Sequence, residues 1–291
     1  MKIIVTGSLG NTGKLLTSIL VAAGHQVTVI SSNADRQQDI EALGATAAIG
    51  SLSDAAFLAG AFAGADAVYA MTPPGMGGSN IVANNTRAGE ALATAIQQAR
   101  VPRVVVLSSV GADLSSGNGP IAALYNIEHL YNKVPGTAFT YLRAGYFYLN
   151  FYADIPLIKG QGFMGGNYPA NTVLPLVHPR DIAAAAAEEL QQPSGKKVRY
   201  VVSDVRTAAD VAKVLGQAAG KADLPWVEFT DEQSLQGMTQ AGLPEEIAGL
   251  YTEMGAAFRS GKLQADFEQN GQPVSGKVKL EDFAKEFAEK V

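Results

Sequence analysis

Residues 1–16 read MKIIVTGSLGNTGKLL. Lys2–Val5 has the apolar, β-branched character of a short strand buried on both faces, and a helix-period segment, NTGKLLTSILVAAG, follows it and stops at Gly24. Between strand and helix lie Gly7, Gly10 and Gly13, each separated by two residues. In a strand–turn–helix unit each glycine answers a different steric demand. Gly7 permits a sharp turn off the strand, Gly10 lets the backbone approach a pyrophosphate, and Gly13 lets the helix pack close to the sheet. The helix N-terminus then offers unpaired N–H groups and a positive dipole end to the phosphates.

Reading outward, apolar runs alternate with helical segments. HQVTVIS, ATAAIG, ADAVYAMT, RVVVLSS and AFTYLRAG read as further strands, and SDAAFLAGAFAG, IVANNTRAGEALATAIQQAR and IAALYNIEHLYNKV as helices between them. PPGMGGSN and GADLSSGNGP are loops. Beyond residue 150 the alternation fades. LVHPRDIAAAAAEELQQ reads as a strand turning through Pro179 into a helix, KKVRYVVS as a late strand, and the tail from Trp226 as helical. The expected class is α/β, a doubly wound parallel sheet with a smaller, mainly helical C-terminal lobe. Residues 1–152 are expected to form the nucleotide-binding unit and 153–291 a substrate lobe, with segments near 174–203 returning to pack on the sheet.

Composition narrows the chemistry. The chain has no cysteine, which excludes thiolate catalysis, disulfides and cysteine-held metal, and makes a cytoplasmic location the expectation. A net charge of −5 with scattered Lys and Arg leaves no broad surface for nucleic acid, and the N-terminal apolar run is too short for a membrane span. The three histidines, His25, His129 and His178, are far apart without carboxylates at ligand spacing, so no metal site is expected.

The second strand speaks to the kind of dinucleotide. An NAD site usually places Asp or Glu there, about 20 residues beyond the glycines, to hold the ribose hydroxyls. This chain has VTVISSNADR instead. Ser31 and Ser32 do not repel a 2′-phosphate and Arg36 stands close enough in sequence to pair with one, so NADP(H) is preferred over NAD(H).

Five stretches, VTGSLGNTGK, GADAVYAMTPP, RVVVLSSVGA, TYLRAGYFYLN and HPRDIAAAAAEEL, taken together resemble the NmrA-like branch of the atypical short-chain dehydrogenases, in that family's order and spacing. AGLPEEIAGLYTEMGAAFRSGKL resembles its quinone-reductase-like members. The resemblance implies a Rossmann fold with NADP(H) across the strand tips and a cleft between two lobes for a small carbonyl or quinone. It implies phosphate contacts at Thr6, Gly7, Leu9, Gly10, Asn11 and Thr12. Met71, Thr72 and Pro73 would line the nicotinamide ribose, Ser108 would sit at the fifth strand tip, and Tyr146 and Phe147 would edge nicotinamide and substrate. Ser32 stands where many relatives carry a basic residue, Arg36 where they often carry lysine, and Ser51 where an Asp is common near the adenine.

The catalytic helix departs from the dehydrogenase pattern of Tyr with Lys four residues later. Tyr125 is followed at that distance by His129, and Tyr131 by Pro135. Some relatives place a lysine four residues before the glutamate matched by Glu128, where this chain has Leu124; Lys133 lies near the helix end. Tyr125 and His129 are the candidates left for moving a proton. The expected function is reduction of a quinone or similar small planar carbonyl compound, which tolerates a missing acid because a quinone takes protons from water. The alternative is a non-catalytic NADP(H)-binding redox sensor acting through a protein partner. Either is compatible with a homo-oligomer, and neither calls for membrane insertion.

Overall fold

The computed structural model describes residues 1–73, 79–195 and 197–291. Among the described residues, twelve strands and twelve α-helices alternate through the first half of the chain and then mix. In chain order the elements of the first half are β1 (Lys2–Val5), α1 (Gly13–Ala22), β2 (Gln26–Ser31), α2 (Gln37–Ala42), β3 (Thr46–Ile49), α3 (Ala55–Phe62), β4 (Ala67–Ala70), α4 (Ile81–Ala99), β5 (Arg103–Ser109), α5 (Ala122–Tyr131) and β6 (Ala138–Ala144). There follow β7 (Tyr146–Phe147), α6 (Ile155–Gly160), β8 (Met164–Gly166), β9 (Val173–Val177), α7 (Pro179–Leu190), β10 (Val198–Val201), β11 (Asp204–Thr207) and α8 (Ala208–Ala218). The chain closes with β12 (Trp226–Glu228), α9 (Asp231–Gln240), α10 (Glu245–Arg259), α11 (Ala265–Gln269) and α12 (Leu280–Ala288).

The central sheet has seven strands in the order β10-β6-β5-β4-β1-β2-β3, and every pairing in it is parallel. From β1 the chain winds outward through β2 and β3, then crosses to β4 on the other side of β1. The switch point therefore falls between the carboxyl ends of β1 and β4, where open α/β sheets take ligands.

Burial on both faces explains the apolar strands. Ile3 and Val5 pack with Leu16 and Leu20 of α1 and with Ala183 and Ala186 of α7 in one core layer. Ile4, Val104 and Val106 face Leu58, Leu92 and Ile96 of α3 and α4 in the other. Full burial of a leucine such as Leu16 contributes about 1.5–3 kcal/mol. Local caps set helix starts. Asp54 accepts the N–H groups of Ala56 and Phe57 at 3.0 Å to open α3, and Thr207 and Asp210 form a capping box on α8.

Beyond β6 lies a second core of Tyr148, Phe151, Ile158, Met164, Phe258, Phe283 and Phe287. Small sheets β11-β9-β7 and β12-β8 frame it. The expected helical tail begins instead with a strand. Trp226 pairs with Met164, its indole N–H donates to the Tyr168 carbonyl at 2.9 Å, and its ring stacks on Tyr168 at 5.0 Å between centroids. A partner 62 residues away in sequence overrides the local pattern.

Candidate functional site

The turn after β1 has the backbone that its glycines permit. Gly7 has φ 90° and Ser8 has φ 54°, both left-handed. A Cβ on Gly7 would collide with the Met71 side chain. One on Gly13 would collide with the carbonyl oxygen of Ser8, so Gly13 accommodates the turn's own backbone, not the sheet as the spacing suggested. Gly10 is different. It is exposed, and a Cβ there would meet only the Gly7 oxygen, at 3.3 Å.

Thr6 fastens the turn across the switch point. Its hydroxyl donates to the Met71 carbonyl at 2.8 Å and accepts the Met71 N–H at 2.7 Å. Thr12, at the start of α1, makes no side-chain cap. Among the described residues, none accepts the backbone N–H of Leu9, Asn11 or Thr12. These donors at the positive end of α1 suit a diphosphate.

A cavity of about 350 Å³ opens beside the turn. Gly7 and Ser8 form its floor, Ser31 and Ser32 the β2 side, Ser51 and Ser53 the β3 side, and Pro73 the β4 side. The fourth wall was not read from sequence. It is α4, through Ile81, Asn84, Asn85 and Ala88, one helical face at the i, i+3, i+4, i+7 spacing that a search for faces would have found. Ser31 is held by hydrogen bonds to Ser8, at 3.0 Å, and to the Asn33 backbone. Among the described residues, no carboxylate lines the cavity. Arg36 lies outside its lining, exposed and paired with Asp39 at 3.5 Å.

The α5 candidates are occupied elsewhere. The Tyr125 and His129 rings meet with centroids 3.9 Å apart at a tilt of 32°, the His129 Nδ1 lies 2.9 Å from the Tyr125 carbonyl oxygen, and His129 is exposed. Neither lines the cavity. Ser108 donates its hydroxyl to Glu128 at 2.6 Å, and Glu128 pairs with Arg143 at 2.8 Å, all three buried. Arg143 also meets Asp266 at 2.7 Å, and Tyr200 donates to the same carboxylate. Burial pushes the nearby Asp113 carboxyl up, opposed in part by Arg143. Leu124 packs as a partly buried apolar residue.

On the lobe side, Tyr146 and Phe147 follow β6 directly and diverge. Phe147 pairs with Val177 of β9 and, like Leu9 and Met71, packs partly buried against the core layer beneath the glycine turn, whereas Tyr146 turns to Phe151 and Phe258 at 5.5 and 5.9 Å between ring centroids. Asp154, which no local motif of the sequence marks, lies near Tyr146 and Tyr168 and is approached by the Gly165 N–H at 3.5 Å. Burial raises its carboxyl to about 7. Between about pH 4 and 7 the unfolded chain ionises this group while the native state retains the proton, so its contribution to stability falls as pH rises. Asp154→Asn is therefore expected to melt about 2–4 °C above wild type at pH 8, with the gap closing near pH 4. An equal shift at both pH values in a thermal scan would remove this carboxyl as the cause.

The sequence profile of the NmrA-like family matches residues 1–283. The chain belongs to that family. Among its similar proteins is the NAD(P)H azoreductase of Xenophilus azovorans, 27% identical over 282 residues and covering 94% of each chain. In architecture this NmrA-like protein is similar to the NADPH-dependent quinone oxidoreductase of Escherichia coli, solved with NADPH, at a TM-score of 0.83 and 20% identity over 98% of this chain and 99% of that one. The triphenylmethane reductase of Citrobacter sp. is similar at a TM-score of 0.81 and 19% identity, over 99% and 100% of the two chains. Among the described residues no helix is long and apolar enough to cross a membrane, and no group of three or more metal-ligating side chains gathers.

Proposed function

We propose that the protein is an NADPH-dependent reductase of small planar conjugated acceptors, a quinone first among them. The observation that carries this reading is the open Gly10 face of the turn beside the cavity at the switch point. The Leu9, Asn11 and Thr12 amides and the α1 dipole would hold the diphosphate, and the serines of β2 and β3 would hold the adenosine end. Hydride donation is the chemistry that the bound cofactor supplies.

The chain's own residues then have positioning work. Phe147, partly buried on the same core layer as Leu9 and Met71, would exclude water at the nicotinamide end, and the Tyr146 ring would position a planar acceptor. Glu128 of α5 is committed to Arg143 and to the Ser108 hydroxyl of β5, so it is not free to supply an acid. A quinone, which takes its protons from water, suits such a site. That same commitment of α5 favours one second reading, a redox sensor that binds the dinucleotide without turnover and signals to a protein partner.

The test is oxidation of NADPH and NADH, followed by nicotinamide absorbance, against a panel of quinones and azo compounds, beside calorimetric titration of both cofactors. Acceptor-dependent oxidation supports the reductase. Tight binding with no turnover across the panel would replace it with the sensor.

Preference for NADPH rests on the uncharged serine lining and on Arg36 leaving Asp39 for the 2′-phosphate. Arg36→Ala is expected to weaken NADPH binding about fivefold, the loss of one exposed charge-assisted contact, and to leave NADH unchanged. Equal weakening of both cofactors would take Arg36 out of that role.

A further inference from the structure

Helix α4, the longest among the described residues, is capped from across the molecule. Asn80, which precedes α4, has a left-handed backbone with φ 57°, and its side chain makes no capping bond. The cap comes instead from Glu246, in the first turn of α10. Its Oε2 accepts the Asn80 N–H at 2.7 Å and its Oε1 accepts the Ile81 N–H at 2.8 Å. One carboxylate thus lies at the positive ends of two helices.

The capped segment is functional surface. Ile81, Asn84, Asn85 and Ala88 form the α4 wall of the dinucleotide cavity, while Val82, Thr86 and Glu90 on the opposite face line an open recess of about 560 Å³ that also includes Glu246. Helix α4 is a septum between the two, and its first turn has no side-chain cap of its own. Helix α10 is itself firmly seated. Gly119, with φ 63°, lies so close that a Cβ would collide with the Leu250 carbonyl oxygen, and Met254 packs beside it. The same helix carries Phe258, which packs edge-on against Tyr146.

We infer that Glu246 is a positioning residue for the cofactor, a carboxylate of the C-terminal part of the chain that fixes the α4 wall of the dinucleotide cavity. This rests on the reading of that cavity as an NADPH site. A wall fixed in advance loses no ordering free energy when the cofactor arrives; an uncapped first turn frays and must be ordered on binding. The helix that faces the acceptor side thereby sets affinity on the cofactor side.

The test is calorimetric titration with NADPH, together with hydrogen exchange of the α4 amides, for wild type, Glu246→Ala, Glu246→Gln and the control Glu245→Ala. Glu246→Ala is expected to raise the NADPH Kd about fivefold, the effect of one lost cap expressed at the cavity, and to speed exchange at Asn80 and Ile81. Glu246→Gln, which keeps one acceptor oxygen, is expected to fall between, and Glu245→Ala to match wild type. An unchanged Kd in Glu246→Ala, with only a lower melting temperature, would reduce Glu246 to a structural cap and overturn the inference. A wild-type protein that binds no dinucleotide would overturn the reading of the cavity instead, a failure visible before any variant is compared.

Discussion

Gly10→Val is expected to leave the fold intact and to abolish cofactor binding. The position is exposed, its backbone is not left-handed, and a Cβ there meets only the Gly7 carbonyl oxygen, at 3.3 Å. The melting temperature should therefore move by no more than about 2 °C. The two added methyl groups stand where a diphosphate must approach the backbone, and a loss of about 100-fold or more in affinity for NADPH and NADH alike is expected. Its neighbours give no such separation. An alanine substituted for Gly7 or Gly13 collides with Met71 or with the Ser8 backbone, so stability and binding would fall together. Full retention of affinity by Gly10→Val in a calorimetric titration would refute the cradle.

The second large effect concerns stability. Arg143→Met removes the cation that faces Glu128 at 2.8 Å, Asp266 at 2.7 Å and Asp113 at 3.9 Å. Breaking such a pair leaves carboxylates without their partner in a partly dry environment, and costs about 3–5 kcal/mol. The sign with pH follows from which groups remain. Burial already pushes the Asp113 carboxyl up, so acid neutralises it, and the deficit is expected to be larger at pH 8 than at pH 5, measured by urea denaturation at both. Equal loss at the two pH values would mean that lost packing of the arginine stem, not charge, is responsible. Because Ser108 and Tyr200 hang on the same network, the Arg143→Met deficit also reports how firmly the tips of β5, β6 and β10 are joined.

The central fold was legible because its signals are local. Parallel strands buried on both faces must be apolar throughout, as in IIV and VVV, and the helices between them show one apolar face, so period alone separates the two. The glycine turn was legible for the same reason, since three positions within seven residues carry its stereochemistry. The lobe was less so. Tyr146–Phe147, Met164–Gly166 and Trp226–Glu228 are strands of two or three residues whose partners are distant, and no window of sequence that short carries a period.

The site divided along the same line. By itself the sequence determined a strand–glycine–helix unit at the head of an alternating chain, the absence of thiol chemistry, and an α5 without the Tyr/Lys pair, because each is a matter of residue type and spacing. Tertiary structure alone decided that Gly13 answers to Ser8, that Glu128 accepts from both Ser108 and Arg143, that α4 walls the cavity, and that Glu246 caps it from 166 positions away. Those facts depend on which surfaces the crossing from β3 to β4 and the return of the C-terminal helices bring within a few ångströms. Contact at that range between residues far apart in the chain leaves no periodic trace in the order of amino acids.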